Sequence, residues 1–325
     1  GLSSGYNIDW NISVDEIFNA MMGFEEAEVR EMFRYYQQND MLKGDVEAMI
    51  TEMKPWYDNY CFARMSLNDD RVFNCDMTLY YLNYQVQRGR SPEEMVDKNI
   101  RTDYSKLKML ARIDRDSVQE GDRMSTIEKI AAEGDIFVDL HTSFPAERIT
   151  DIDNFRSLLY YYGLLTMCGT RGDLIKMSIP NNCVREQYFG FLRDYYQKYS
   201  SIDLHYLNVM LTDMAYDGRW KPFFESVAQA YRENSAVRDA MEGERNLQGF
   251  LKAYLALASY YLVEPELEMN YGYCDFFLLP DKKRYPDVKH SYILELKYAT
   301  RTATDAELEV QALEGRKQLL RYSED

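Results

Sequence analysis

Several ingredients of common active sites are scarce or missing from the 325 residues. The three histidines, His141, His205 and His290, lie far apart in sequence, and no two cysteines form a C-x-x-C pair, so a Cys/His zinc site has no support. The five cysteines, Cys61, Cys75, Cys168, Cys183 and Cys274, are scattered and odd in number. That argues against a disulfide frame and for a reducing compartment. None of the 16 glycines is followed by lysine, so a phosphate-binding G-x-x-x-x-G-K-[ST] loop is absent and this chain by itself is expected to have no ATP site. The longest stretch without a charge is the 14 residues from Ser157 to Thr170, against the roughly 20 needed to cross a bilayer. No signal peptide is visible; the expectation is a cytoplasmic protein without a membrane partner, although a chain that opens on Gly1 leaves room for a targeting segment upstream.

Positive charge is also in deficit, with 38 Lys and Arg against 54 Asp and Glu for a net −16. Such a balance speaks against a surface coated in phosphate-binding patches and suits a basic protein partner. The deficit is uneven. Residues 244–325 hold 14 acids and 11 bases, a net −3, which leaves −13 for residues 1–243. Nucleic acid is therefore less repelled at the C-terminal end.

What remains is an ordinary globular composition, 46% hydrophobic and 28% charged, long enough for two or three domains, with 28 tyrosines to fill cores and seams. The first 240 residues read as mostly helical. Ser13 with Glu16, Ser91 with Glu94 (Pro92 at the first helical position) and Ser125 with Glu128 have the spacing of helix-opening capping boxes, and Gly23, Pro55 and Gly89 punctuate the runs. Apolar residues in "VREMFRYY" and "VEAMITEMKPWY" recur at three and four positions, the period of packed helices. Within about 151–199, "DNFRSLLYYYGLLTMCGTRGDLIKMSIPNNCVREQYFGFL" runs helix, strand, glycine-rich turn at Gly169 to Gly172, strand, Pro180, helix. This order resembles a winged helix, and its acidic setting favours packing or regulation over DNA binding.

From Glu244 the pattern changes to a helix reaching about Tyr261, then strands in "LVEPELEMN", "YGYCDFFLLP" and "YILELKYA", and a last helix, "DAELEVQALEGRKQLLRY". Along "YILELKY", Ile293, Glu295 and Lys297 share one face. A roughly 12-residue loop pairs this strand with the one before it and brings Asp275 near Glu295. Charges in a sheet are costly unless paired or metal-bound. Two carboxylates there make a hard-oxygen site for Mg²⁺ or Mn²⁺, and the Lys297 ammonium can position water or neutralise a phosphate. The same three groups, paired without activity, make a structural cluster. Glu52-Met53-Lys54 repeats the E-x-K spacing at a helix end and reads as a solvated face. Lys282, Lys283 and Arg284 read as a solvated loop, and Cys274 as a buried small apolar residue.

These C-terminal motifs resemble the PD-(D/E)XK nuclease superfamily, and more closely the nuclease-like domain that follows an AAA-ATPase-like domain in many bacterial proteins. "GERNLQGFLKAYL" is similar to the opening helix with its acid, Glu244; "ELEMNYGYCD" supplies Glu268, Gly272 and Asp275; "ELK" supplies Glu295 and Lys297; and "KQLLRY" supplies Gln318 and Tyr322. The resemblance implies metal ligation by Asp275 and Glu295, catalysis by Lys297, and help from Glu268, Glu244 and Gln318 in cleaving nucleic acid, DNA by preference. Upstream, "GLSSGYNI", "KPWYDNYCF" and "RVFNCDMTLYYL" look like the distal part of the AAA-ATPase-like domain. On this reading residues 1–105 are the helical end of that region, 106–240 a helical stretch with the winged-helix-like segment, and 241–325 the α/β nuclease-like domain, with its last strand expected to be missing. The nucleotide-binding half is expected before residue 1. The runner-up function is a non-catalytic regulatory or protein-interaction chain on a degenerate nuclease scaffold.

Overall fold

The computed structural model describes residues 12–69, 71–96, 104–111, 120–145, 148–149, 151–237, 243–257, 259–269, 272–299 and 302–322. The chain divides into two compact units, residues 1–130 with 134–188, and residues 131–133 with 189–325. The composition shift near residue 240 lies inside the second unit.

In the first unit, strand β1 (Phe24–Glu25) leads into helix α1 (Glu26–Gln38), opened by a reciprocal Glu25/Glu28 capping box. Helix α2 (Val46–Tyr57) is capped by Asp45, whose side chain accepts from the Glu47 N–H. Its buried residues, Val46, Met49, Ile50, Met53 and Tyr57, follow the helical repeat. Strand β2 (Val72–Phe73) pairs antiparallel with β1, and α3 (Cys75–Arg88) is capped by Asn74 and closed by Gly89 in the left-handed region at φ 66°. Helices α4 (Tyr104–Ala111) and α5 (Glu120–Glu133) precede strand β3 (Asp135–Val138), α6 (Ile152–Tyr161), β4 (Thr166–Arg171), β5 (Leu174–Ser178) and α7 (Asn182–Tyr196), within which the unit ends. The three strands form an antiparallel sheet in the order β3-β5-β4.

Three of the expected helix starts are misplaced. Ser13 does not cap: Asp15 does, on a short 3-10 turn, Glu16–Phe18. Ser91 opens no helix among the described residues; its hydroxyl donates to Glu52 in a network with Tyr81 and Gln85. Ser125 lies inside α5. Pro55 does not end α2 either, because burial of Met53 and Tyr57 outweighs one forfeited backbone bond. The helical reading of residues 1–240 also passed over β1, β2 and β3.

The second unit holds α8 (Leu204–Asp217), α9 (Lys221–Val237), α10 (Glu244–Leu255), the strands β6 (Tyr261–Met269), β7 (Gly272–Pro280) and β8 (Tyr292–Leu294), and α11 (Asp305–Tyr322). Residues 261–294 form an antiparallel meander in the order β6-β7-β8. Alternation sends Cys274, Phe276 and Leu278 into the core and leaves Asp275 half-buried on the other side. Phe250 of α10 anchors the helical layer, its ring 4.7 Å from Tyr196, 4.9 Å from Tyr254 and 5.2 Å from Tyr231. All five cysteines are free thiols. Among the described residues no helix is long and apolar enough to cross a membrane.

Candidate active site

The ladder between β7 and β8 pairs Phe276 with Leu294 and stops there. Glu295, Leu296 and Lys297 thus lie beyond the strand expected to carry them. The reason is local: the Leu296 N–H donates to Asp275 Oδ2 at 2.5 Å and not to a strand carbonyl. The aspartate ends the pairing and in doing so is fastened to the residue between the other two charges. Its second oxygen, Oδ1, accepts from the Gln248 amide of α10 at 3.0 Å.

Lys297 folds back on Glu295, with Nζ donating to Oε1 at 2.7 Å. The Glu295 side chain is only 5% exposed, and its other oxygen, Oε2, is buried without a hydrogen-bond partner. Leaving such a group unmatched costs about 1–3 kcal/mol, more for a charge. Burial works to lower the Lys297 pKa, but the hydrogen bond and charge of Glu295, followed by the charges of Asp275 and Glu244, outweigh it and raise it. Glu244, exposed at the start of α10, therefore belongs to the same electrostatic neighbourhood.

Helix α11 closes the other side. A Cβ on Gly315 would lie 3.4 Å from Lys297 Cγ and 3.9 Å from Glu295 Cγ, ordinary contact distances that show how closely the helix backbone approaches the pair. One turn on, Gln318 Oε1 is a second buried oxygen without a partner. Tyr322 is buried at the helix end, and burial, followed by the negative charge of Glu295, raises its pKa. Asp275, Glu295, Lys297 and Glu244 are thus brought into one neighbourhood, with half-buried Gln318 on the adjoining helix. Glu268 pairs through its backbone with Tyr273 in the β6–β7 ladder, and its side chain lies outside the described residues. Gln248 was missed by the sequence reading, although it stands one helical turn after Glu244. The Lys282 Nζ is turned into its own loop, donating to Val288 O, and Arg284 approaches Asp281 at 4.0 Å.

A divalent hard cation fits this donor set. Two carboxylates supply hard oxygens, and the partnerless Glu295 Oε2 is a buried acceptor that such an ion would satisfy. Among the described residues no three His, Cys, Asp or Glu side chains form a cage. Mg²⁺ is commonly held by one or two carboxylates with water and substrate phosphate in the remaining positions, so the small set is no obstacle.

Residues 242–325 match the family model of the PD-(D/E)XK nuclease superfamily. No curated protein and no solved structure matches the chain. The matched segment contains every residue of the cluster just described, and it supports a nuclease-like function for this end of the chain.

Proposed function

We propose that the second unit hydrolyses phosphodiester bonds in nucleic acid, DNA by preference, with Mg²⁺ or Mn²⁺ held by Asp275 and Glu295. The observation that carries this reading is the buried, partnerless Glu295 Oε2 beside an aspartate fixed by two hydrogen bonds. A bound divalent ion would supply Lewis-acid polarisation of the phosphate and a more acidic water. The chain's own residues do the rest. Gln248 and the Leu296 N–H hold Asp275 in orientation. The Lys297 ammonium neutralises charge developing on the phosphate and orients the attacking water. Glu244, through its charge, helps keep Lys297 protonated, and Glu268 and Gln318 assist from the adjoining strand and helix. Coupling to an AAA-type ATPase half, and a regulatory use of the winged-helix-like segment, extend the proposal on the strength of the upstream sequence resemblance.

A second reading has its own observation. Lys297 already neutralises Glu295 in a nearly closed setting, and the chain carries a net −16, as a non-catalytic scaffold binding a basic protein would. A divalent-metal nuclease assay on single-stranded DNA, duplex DNA and RNA separates the two. Cleavage that requires Mg²⁺ or Mn²⁺, stops with chelator and is lost in Asp275→Ala and Lys297→Ala supports the enzyme. Cleavage unchanged in both variants removes these residues from the chemistry, and no cleavage of any substrate favours the scaffold.

A further inference from the structure

Helix α11 is apolar on two sides. One side, with Gly315 and Tyr322, is buried against its own unit. On the opposite side Val310, Leu313 and Leu320 are 57%, 53% and 60% exposed and, with exposed Ala306, recur at spacings of four, three and seven. That is the seam of a helix made to pack on another helix. Lys317 falls in the same stripe, and its aliphatic stem continues the apolar surface.

The charges say which helix. Asp305, Glu307, Glu309 and Glu314 occupy the first part of α11, and Arg316, Lys317 and Arg321 the last. Two copies side by side in parallel would set acid against acid and base against base. Antiparallel, the halves are complementary. With Leu313 on the two-fold axis, Ala306 meets Leu320 of the second copy, Val310 meets the stem of Lys317, and Glu309 faces Arg316. Glu314 approaches its own counterpart near the axis, the unfavourable contact in this arrangement.

We infer that α11 is a homodimerisation surface on which a second copy of this chain docks antiparallel around a two-fold axis through Leu313. The interface is self-complementary and closes at two chains. Eighteen residues make a helix of about 27 Å, so a single helix pair buries less than the roughly 1,200–2,000 Å² of a standard interface. Association is accordingly weak and concentration-dependent. Each copy would then carry its Glu295–Lys297 pair on the Gly315 side of α11, turned away from the second copy, which leaves the interface independent of the nuclease reading.

Sedimentation equilibrium of the full chain over a concentration series tests this. The mass is expected to climb from one 38.4 kDa chain toward twice that value. Leu313→Glu, a change at an exposed position, should hold the protein at one chain throughout with unchanged circular dichroism. Glu309→Arg should shift the transition to higher concentration, and adding Arg316→Glu should move it back. Glu314→Gln should shift it to lower concentration. A wild type that stays at one chain, a Leu313→Glu variant that associates like the wild type, a charge swap that fails to restore pairing, or a mass that grows past two chains overturns the inference.

Discussion

The chain contains Glu-x-Lys in both units, and the two copies of the pattern have different fates. On α2, Glu52 and Lys54 are two residues apart on a helix, so they point away from each other. Glu52 accepts from the Tyr81 hydroxyl at 2.7 Å and the Ser91 hydroxyl at 2.6 Å, while Lys54 reaches Glu26 at 2.5 Å. Both charges are satisfied by separate partners. Past β8, Lys297 turns back onto Glu295, an aspartate is fastened to the residue between them, and one buried oxygen is left over. Three letters alone carry no chemistry. What distinguishes the second copy is an acid on the neighbouring strand and an unmet acceptor, which is where an ion or a substrate has something to gain.

The largest expected contrast is in cleavage. Lys297→Ala should lower the metal-dependent rate by a factor on the order of 10² or more, whereas Lys54→Ala should leave it unchanged; equal rates for the two variants would break the contrast. Stability should show the reverse. Glu52→Ala strips a charged acceptor from two hydroxyls and should cost about 1.5–3 kcal/mol in urea unfolding, while Glu295→Gln in chelator, which removes an unmet buried charge and leaves the partly exposed Lys297 ammonium to water, should stay within about 1 kcal/mol of wild type. A smaller effect tests the support around Asp275. Gln248→Leu should weaken Mn²⁺ binding roughly tenfold, the usual size for a residue that orients a ligand, read by isothermal titration on the full chain.

The smallest effect concerns the partner of Lys54. The hydrogen bond from the Lys54 ammonium, with Arg30 adding to it, outweighs burial and holds the Glu26 carboxyl below its ordinary range. A depressed carboxylate stabilises the fold above its unfolded pKa and loses that contribution as pH falls through the folded value. Glu26→Gln should therefore be slightly less stable than wild type near neutral pH, and the gap should close on acidification; a gap that persists in acid would point to packing in place of charge.

The elements whose signals are local were legible. The last helix runs Asp305–Tyr322 over the stretch read as helical, and the first two strands of the meander fall in stretches read as strands, whereas the third stops at Leu294, short of the stretch read through Ala299. The segments near Gly169 and Pro180 fold in the helix, strand, turn, strand, helix order that the sequence suggests. Helix starts were less legible, because Asp15 outcompetes nearby Ser13 as a cap, Asp45 and Asn74 cap helices whose starts carry no serine, and Ser91 is drawn into a half-buried network with Glu52, 39 residues away in sequence. Glu52 was misread for the same reason: its partners Tyr81 and Ser91 come from other segments, so no window around it shows that it is held and not merely solvated. Alternation along 292–297 placed Glu295 and Lys297 on a common face, but not the backbone N–H that ends the strand on Asp275, nor the Gln248 amide arriving from α10.

Mn²⁺ binding by the full chain, followed by the loss of free-ion signal in electron paramagnetic resonance, puts the divalent-ion site to the most direct trial. Saturable uptake of one Mn²⁺ that is lost in Asp275→Asn and Glu295→Gln but retained in Glu52→Gln is the predicted result. Uptake that survives both of the first two substitutions, or no uptake at all, contradicts it.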